Sequence, residues 1–333
     1  MVVTVVVGGF FGDEGKGKVI SHLARVNKPD IVVRGGAGPN AGHTIRSGNN
    51  TYKVRMLPCG FLNKSSRVMI GPGVVINPTV LYDEIKKFGV GGRVFVDRNC
   101  GIIEQSHLDM DTRGELKDKI GSTGSGTGPA NADRAMRTLK LVHDLKEMET
   151  ITLDVPGEID AVVRAGGDVL VEGTQGTFLS LWHGTYPYVT SKDVTASGIC
   201  ADVGIGPTTV DNVIMVVKAF VTRVGTGPLD NELSPQETVR RGWAERGTVT
   251  NRTRRAAEFD YDLGRRAVML NGADQLALTK LDILFPECSK VTSYDILSTE
   301  ARLFIKTIER KLGIPVTIIG TGPEDTSVID RRG

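Results

Sequence analysis

The sequence predicts an α/β fold in which a mostly parallel central sheet is flanked by helices. Short apolar segments rich in Val and Ile alternate with segments of helical periodicity, which is the order of elements in α/β proteins. Most of these segments are continuous apolar runs, the pattern of strands buried on both faces of a parallel sheet. The predicted strands cover residues 2–7, 30–34, 68–71, 93–96, 168–172, 213–221, 275–279 and 315–319.

The clearest predicted helix covers residues 299–312. Its apolar residues, from Ala301 to Ile308, recur at the spacing that lines one face of a helix. Ser298 precedes the segment as an N-cap, and Gly313 follows it as a C-terminal stop. This helix is therefore predicted to pack against the sheet and to carry no chemistry.

Three long loops between the predicted elements are rich in glycine, which lets a backbone approach a ligand closely. They cover residues 35–42, 121–128 and 173–176. No repeat, low-complexity segment or linker divides the chain, so residues 1–333 are predicted to form one domain.

The composition excludes several classes of partner. The chain of 333 residues carries 41 Lys and Arg against 39 Asp and Glu, so its charge gives no general attraction to nucleic acid or to a membrane. Cys59, Cys100, Cys200 and Cys288 stand far apart, which predicts reduced thiols and no zinc site. The N-terminus begins a strand without a signal sequence, and no apolar run reaches the ~18 residues that span a bilayer, so we expect a cytoplasmic protein.

A glycine-rich phosphate loop follows the first predicted strand. Residues 8–18 read Gly-Gly-Phe-Phe-Gly-Asp-Glu-Gly-Lys-Gly-Lys and lead into a helical pattern, which presents backbone N–H groups and lysines to phosphate. The segment from Gly12 to Lys18 fits Gly-x-x-x-x-Gly-Lys, but Val19 replaces the Ser or Thr that holds magnesium in a P-loop. Asp13 lies inside the loop, and its carboxylate is the candidate metal ligand and general base.

A second polar loop, residues 34–44, follows the predicted strand 30–34 and reads Arg-Gly-Gly-Ala-Gly-Pro-Asn-Ala-Gly-His-Thr. His43 in this turn could reach a phosphate and titrate near neutrality, although a lone histidine is more often structural. By contrast, His22 and His143 lie on helical patterns and are predicted to be exposed to solvent.

The two loops that contain Asp13 and His43 resemble those of the adenylosuccinate synthetase family. The resemblance covers essentially the whole chain. The chain looks most like the compact, archaeal form of the family. The resemblance implies a ligase that joins IMP and L-aspartate at the expense of GTP, by way of 6-phosphoryl-IMP, and releases GDP and phosphate. The other segments that carry it, in the family's order, are residues 121–130, 171–177, 184–191, 222–228, 279–282 and 321–323.

The resemblance implies a role for each catalytic residue. Asp13 would remove the proton from N1 of IMP, and His43 would stabilise the γ-phosphoryl group during its transfer. Lys16 and Gln175 complete the implied catalytic set, and Mg²⁺ would bind Asp13 and the carbonyl of Gly42. The implied GTP contacts are Gly12, Glu14, Gly15, Lys16, Gly17, Lys18, Thr44, Lys280, Asp282, Gly322 and Pro323.

Lys280 and Asp282 are the candidates for guanine recognition. Asp282 can accept hydrogen bonds from N1–H and the 2-amino group of guanine, and the stem of Lys280 can pack on the base. On its own, such a tetrapeptide after a strand is more often a solvated turn. In the family, Gly322 and Pro323 would complete the base pocket.

The resemblance also implies that IMP is bound by small polar groups on the glycine-rich loops, although each of them taken singly is more often a turn or cap residue. Arg137 lies on a helical pattern over residues 130–143. In the family the matching arginine reaches the IMP phosphate of the neighbouring subunit, which implies a homodimer with shared active sites. The implied IMP contacts are Asp13, Asn40, Thr123, Arg137, Gln175, Thr190 and Arg252.

An arginine-rich stretch, residues 246–255, matches the family's aspartate-binding loop. Arginines in a Gly/Thr/Asn loop suit bidentate capture of a dicarboxylate, although most Arg clusters are solvated faces or nucleic-acid contacts. Asn251 replaces the family's glycine, and residues 226–232 differ from the usual Gly-Pro-Phe-Pro-Thr-Glu, but Asn tolerates positive φ and can keep the loop's shape. The implied aspartate contacts are Val249, Thr250, Arg252 and Arg254.

Three other functions fit parts of the sequence. A phage relative joins aspartate to dGMP, but that group usually lacks the loop aspartate, so Asp13 favours IMP. A non-catalytic GTP-binding module would use the same phosphate loop without the arginine-rich stretch. RNA binding by residues 252–255 would call for aromatic stacking partners and a basic excess that the sequence lacks.

Overall fold

The computed structural model describes residues 1–113, 120–247 and 252–332. Its strands are β1 Val3–Gly8, β2 Ile31–Arg34, β3 His43–Ser47, β4 Asn50–Val54, β5 Arg67–Ile70, β6 Val75–Ile76, β7 Val94–Asp97, β8 Gly101–Ile102, β9 Thr152–Leu153, β10 Val169–Glu172, β11 Asn212–Lys218, β12 Val221–Arg223, β13 Arg255–Ala257, β14 Gln275–Thr279, β15 Val316–Gly320 and β16 Val328–Asp330.

Ten of these strands form one sheet in the order β16-β15-β14-β11-β1-β10-β2-β5-β7-β9. Every neighbouring pair is parallel except β15 and β16, which are antiparallel. The remaining strands pair in three two-stranded ribbons, β3 with β4, β6 with β8, and β12 with β13. The predicted α/β class with a mostly parallel sheet is confirmed.

The helices cover both faces of this sheet. Val5 of β1 belongs to the same apolar cluster as Ile305, whereas the next residue, Val6, belongs to a second cluster with Ile20 and Leu23. Burial of both faces explains why these strands read as continuous apolar runs. The helices are α1 Lys16–Asn27, α2 Pro78–Phe88, α3 Gln105–Arg113, α4 Thr127–Met136, α5 Val155–Arg164, α6 Ala196–Val203, α7 Pro235–Arg240, α8 Tyr261–Asn271, α9 Leu281–Leu284 and α10 Thr299–Leu312.

Most predicted bounds agree with the structure. Helix α10 has the predicted ends, because Ser298 accepts a hydrogen bond from the N–H of Ala301 at 3.3 Å and Gly313 adopts a left-handed φ of 78°. The prediction of one strand over 213–221 is wrong. β11 ends at Lys218, the ring of Phe220 stacks on Trp243 with centroids 4.6 Å apart, and the chain then enters the β12 ribbon.

Two helical interpretations also need correction. The helix predicted over 130–143 ends at Met136, because Arg137 adopts a left-handed φ of 64° and the chain turns back beside β8. His22 is buried and not solvated, since its ring contacts the carboxylate of Asp330 at 3.1 Å and the carbonyl of Asp325 at 3.3 Å. The helical pattern predicted after the phosphate loop is confirmed as α1, but the sequence did not indicate that the C-terminal segment covers this face.

All four cysteines are buried and free of disulfide bonds, as the sequence predicts. Among the helices that the structure describes, none has the length and apolar character needed to cross a membrane.

The parallel strands at the centre of the sheet place their carboxyl ends along one edge. β11, β1, β10 and β2 are consecutive neighbours, and β14 lies beside β11. Ligands of open α/β sheets bind at this edge, where loops leave adjacent strands. The phosphate loop follows β1, the His43 loop follows β2, and the loop of Gln175 follows β10.

Candidate active site

The phosphate loop turns sharply between β1 and α1. Gly12, Asp13 and Gly15 have φ values of 84°, 61° and 92°, so three of its residues occupy the left-handed region. Glycine reaches this region without strain and Asp is among the residues that tolerate it, which explains the composition of the turn. The side chain of Asp13 stays 26% exposed at the cavity described below.

Glu14 braces this loop from inside. Its carboxylate accepts hydrogen bonds from the N–H groups of Phe10 at 3.1 Å and Gly12 at 2.7 Å, and it forms an ion pair of 2.8 Å with Lys16. The ammonium of Lys16 also donates to the carbonyl of Gln175. The loop of β1 is thereby tied to the loop of β10, and Lys16 points to the place where the two loops meet.

His43 is held by a buried carboxylate. Its Nδ1 lies 2.6 Å from Glu172, which also accepts the N–H of Cys59 and lies 3.6 Å from Arg34. Burial lowers the pKa of His43, and Glu172 opposes that shift. Burial alone would raise the pKa of Glu172, but His43 and Arg34 hold it below its usual range. The ionised carboxylate therefore accepts the Nδ1 proton, which leaves Nε2 as the reactive nitrogen.

One cavity of about 740 Å³ joins the predicted catalytic residues and all of the predicted IMP residues except Arg137. Asn40 lies on the cavity wall, where its side-chain carbonyl accepts a hydrogen bond from Gln175 at 3.1 Å and its amide donates one to Thr190 at 3.3 Å. These three polar side chains come from loops that are far apart in sequence. The other predicted residues on the cavity wall are Gly12, Asp13, Lys16, Gly42, His43, Thr123 and Arg252.

The outer wall of the cavity is fixed by charged side chains. Arg252 donates to the carbonyl of Gly121 at 2.7 Å and to that of Ser122 at 2.9 Å. Asp111, from α3, accepts the hydroxyl of Ser122 and the N–H of Gly126. The arginine-rich stretch is therefore attached to the glycine-rich loop 121–128 on one side of the cavity.

The predicted guanine residues lie together at the other end of the phosphate loop. Lys18 donates to the carbonyls of Gly322 at 2.6 Å and Ser327 at 2.8 Å. Burial lowers the pKa of Lys18 to about 8, while the Asp282 carboxylate nearby opposes the shift. Burial also raises the pKa of Asp282. Lys18 thus holds the 320–327 loop and lies close to Asp282.

A model of the adenylosuccinate synthetase family matches residues 5–156 and 140–288. The chain belongs to the adenylosuccinate synthetase family. An adenylosuccinate synthetase of Methanocaldococcus jannaschii is 52% identical over 100% of this chain and 97% of its own length. That of Methanosphaera stadtmanae is 50% identical over 100% of this chain and 98% of its own length.

Two solved structures share the fold. The structure of a fully ligated adenylosuccinate synthetase from Plasmodium falciparum has a TM-score of 0.91 at 26% identity and covers both chains completely. The succinoaminodeoxyadenylate synthetase of cyanophage S-2L, bound to dGMP and to dATP as an energy donor, has a TM-score of 0.82 at 26% identity, over 100% of this chain and 96% of that one. The compact chain thus keeps the architecture of the adenylosuccinate synthetase family.

Some residues that the family resemblance implies are not on the cavity wall. Arg137 is exposed at the end of α4, and Thr44 is exposed on β3. Arg254 lies behind the wall and pairs with Asp13 at 2.9 Å. Val249 and Thr250, together with Asn251, lie outside the described residues.

The sequence did not single out Glu172, Lys218, Arg223 and Glu245 as site residues. Glu172 and Lys218 each end an apolar, buried strand with a charge, and this signal could have identified them. Arg223 lines the cavity and donates to the carbonyl of Pro228 and to the hydroxyl of Thr185, both at 2.7 Å. Glu245 lies in irregular structure, and nothing in its sequence context marks it.

Proposed function

We propose that this chain joins IMP and L-aspartate to give adenylosuccinate, with conversion of GTP to GDP and phosphate. The observation that carries the proposal is the single cavity that places Asp13 and His43 beside the side chains of Asn40, Gln175 and Thr190. A carboxylate and an imidazole on one nucleotide-sized cavity suit a reaction that needs a base at the purine and a charged donor at the phosphate. The whole chain acts as one catalytic domain in this proposal.

In the first step Asp13 takes the proton from N1 of IMP, so that O6 becomes the nucleophile that attacks the γ-phosphorus of GTP. His43 donates from Nε2 to the transferring group, with Glu172 on Nδ1 favouring the protonated ring once the phosphates arrive. Lys16 and the N–H groups of Gly15 and Gly17 neutralise phosphate charge. In the second step the amine of aspartate attacks C6 and phosphate leaves.

The donor set at the phosphate loop fits Mg²⁺. Asp13 supplies a carboxylate and Gly42 a carbonyl on the same cavity wall, and hard oxygen ligands are those that magnesium prefers. When bound, the ion would neutralise charge on the transferring phosphate. Val19 leaves no hydroxyl for this task at the start of α1, so we propose that Asp13 takes it over.

Aspartate binding is proposed for the arginine-rich stretch, with Arg252 at the cavity wall and Arg254 behind Asp13. Two guanidinium groups beside the reacting base suit both carboxylates of the dicarboxylate. Arg137 is exposed and away from its own cavity, which fits a role toward the IMP phosphate of a second copy. We therefore keep the homodimer with shared active sites as part of the proposal.

One assay separates IMP from dGMP as the substrate. The purified protein is mixed with GTP, Mg²⁺ and L-aspartate, either nucleotide is added, and the succinylated nucleotide is detected by mass. We expect product from IMP, because the relatives at 50% and 52% identity are adenylosuccinate synthetases. Product from dGMP alone would overturn the substrate assignment, and release of phosphate without either nucleotide would favour a GTP-binding module.

A pH profile tests the pairing of Glu172 with His43. Glu172→Gln removes a charge that raises the pKa of His43, so the ring should lose its proton at a lower pH. The alkaline limb of the kcat profile should move to lower pH by about one unit. Glu149→Gln, which changes an exposed glutamate, is the control and should leave the profile unchanged. An unmoved limb in Glu172→Gln would show that His43 does not work as the acid.

Guanine recognition is tested by Asp282→Asn. Loss of the carboxylate removes two charge-assisted hydrogen bonds, each of about 1.5–3 kcal/mol, so KM for GTP should rise at least a hundredfold. Xanthosine triphosphate offers a carbonyl at C2 to the new amide, so its KM should fall in the same variant. A parallel change in the two KM values would mean that Asp282 does not contact the base.

A further inference from the structure

Glu245 lies at the foot of the arginine-rich stretch. The N–H of Arg254 donates to the carbonyl of Glu245 at 3.0 Å, and the N–H of Gly247 donates to the carbonyl of Arg252 at 2.9 Å. Residues 245–247 and 252–254 therefore pair on either side of residues 248–251. The side chain of Glu245 is fixed where this stretch meets the sheet.

Three cations share this one carboxylate. Oε2 of Glu245 accepts from Lys218 at 3.0 Å and from Nη1 of Arg254. Oε1 lies 3.0 Å from the ammonium of Lys280, close enough for an ion pair although the angles are not those of a hydrogen bond. Burial opposes ionisation of Glu245, but the three cations hold its pKa below the usual range. The exposed fractions of Glu245, Lys218 and Arg254 are only 11%, 1% and 8%.

The carboxylate connects two parts of the site that are far apart in sequence. Lys218 is the register partner of Thr279, so the ends of β11 and β14 bring Lys280 beside it. Lys280 leads into the proposed guanine pocket. On the other side, Nη2 of Arg254 lies 2.9 Å from Asp13. An unbroken series of ion pairs thus runs from the reacting base to the nucleotide pocket.

The position of Arg254 explains why such a series matters. Arg254 is shared between Asp13 and Glu245, so a dicarboxylate that binds its Nη2 competes with Asp13 for this nitrogen. Glu245 can keep hold of Nη1 throughout. If Lys280 already holds the carboxylate of Glu245 in place, the side chain of Arg254 loses less conformational entropy when the dicarboxylate binds.

We propose that Glu245 is a positioning residue that makes the binding of a purine nucleoside triphosphate and of a dicarboxylate cooperative, by holding Lys280 and Arg254 on one carboxylate. This inference rests on the proposed function, which assigns the triphosphate to Lys280 and the dicarboxylate to Arg254. Coupling of two ligands is reciprocal, so each should tighten the binding of the other by the same factor.

The test is the affinity for L-aspartate, measured by calorimetry with IMP and Mg²⁺ present, with and without a saturating non-hydrolysable GTP analogue. In the unchanged protein the analogue should tighten aspartate binding at least fivefold, within the usual range of coupling. In Glu245→Gln this ratio should fall to about one. A purely structural Glu245 would weaken aspartate equally in both conditions and leave the ratio unchanged, which would overturn the inference.

Two further variants secure the result. Lys280→Met removes the partner of Glu245 Oε1 and keeps Lys218 and Arg254 in place, so it should also abolish the coupling. This variant tests the inference if Glu245→Gln does not fold. Glu258→Gln makes the same chemical change on a glutamate that is 67% exposed, and its ratio should equal that of the unchanged protein. If the unchanged protein forms adenylosuccinate but its ratio is one, this inference alone is overturned. If no product forms from IMP, the proposed function is overturned.

Discussion

Asp13→Asn is expected to lower kcat for adenylosuccinate formation by about three to four orders of magnitude, because the amide cannot take the proton from N1 of IMP. Asn is the right replacement, since it accepts the left-handed φ of 61° at this position, where Ala would add strain. Affinity for GTP should stay within a few fold, because Lys16 and the glycines of the loop remain and the amide oxygen of Asn can still bind the metal. The measurements are steady-state kinetics and binding of a GTP analogue.

The pH dependence identifies the missing function in this variant. Turnover of Asp13→Asn should rise with pH as N1 of IMP begins to ionise without help, whereas the unchanged enzyme should not show this rise. Asp83→Asn, which changes an exposed aspartate of α2 outside the site, is the control and should keep normal turnover. Near-normal turnover of Asp13→Asn at neutral pH would show that another group is the base.

His43→Asn is expected to lower kcat by about two to four orders of magnitude, because Asn can donate a hydrogen bond to the phosphoryl group but cannot carry a positive charge. Raising the pH should not restore turnover, which separates this variant from Asp13→Asn. Phosphorylation of IMP in the absence of aspartate should be lost to the same extent. It is measured as oxygen-isotope scrambling in GTP.

The stability of His43→Asn must be measured alongside its activity. Glu172 loses its contact with Nδ1 and keeps, among the residues that the structure describes, the N–H of Cys59 and the nearby Arg34. A buried group that loses a partner costs about 1–3 kcal/mol, so Tm should fall by a few degrees. Phosphoryl transfer at the normal rate in a folded His43→Asn would remove His43 from the chemistry.

The central strands were predictable because their apolar runs have one physical cause, burial on both faces. Two elements were predicted to the residue. The strand Gln275–Thr279 is an apolar run that ends at a polar turn, and the helix Thr299–Leu312 has strong caps at both ends. β9 and β16 were not predicted, because strands of two or three residues at the edges of the sheet leave too short a pattern.

The candidate site was predicted where residues stand in glycine-rich loops and was missed where partners meet only in three dimensions. Asn40, Gln175 and Thr190 were found through their motifs, and the structure brings them within hydrogen-bonding distance. The pairing of Glu172 with His43 spans 129 positions, and no local pattern encodes it. The burial of His22 was missed for the same reason, because its partners Asp325 and Asp330 are near the other end of the chain.

The central place of β1 also governs how the chain must fold. The register partners of β1 are as far along the sequence as Val169 on β10 and Asn212 on β11. A strand with such non-local partners forms late, because long loops must close before its contacts are made. Until then its Val-rich edges stay unpaired and prone to aggregate. The phosphate loop, which β1 carries at its end, can take its final form only after that step.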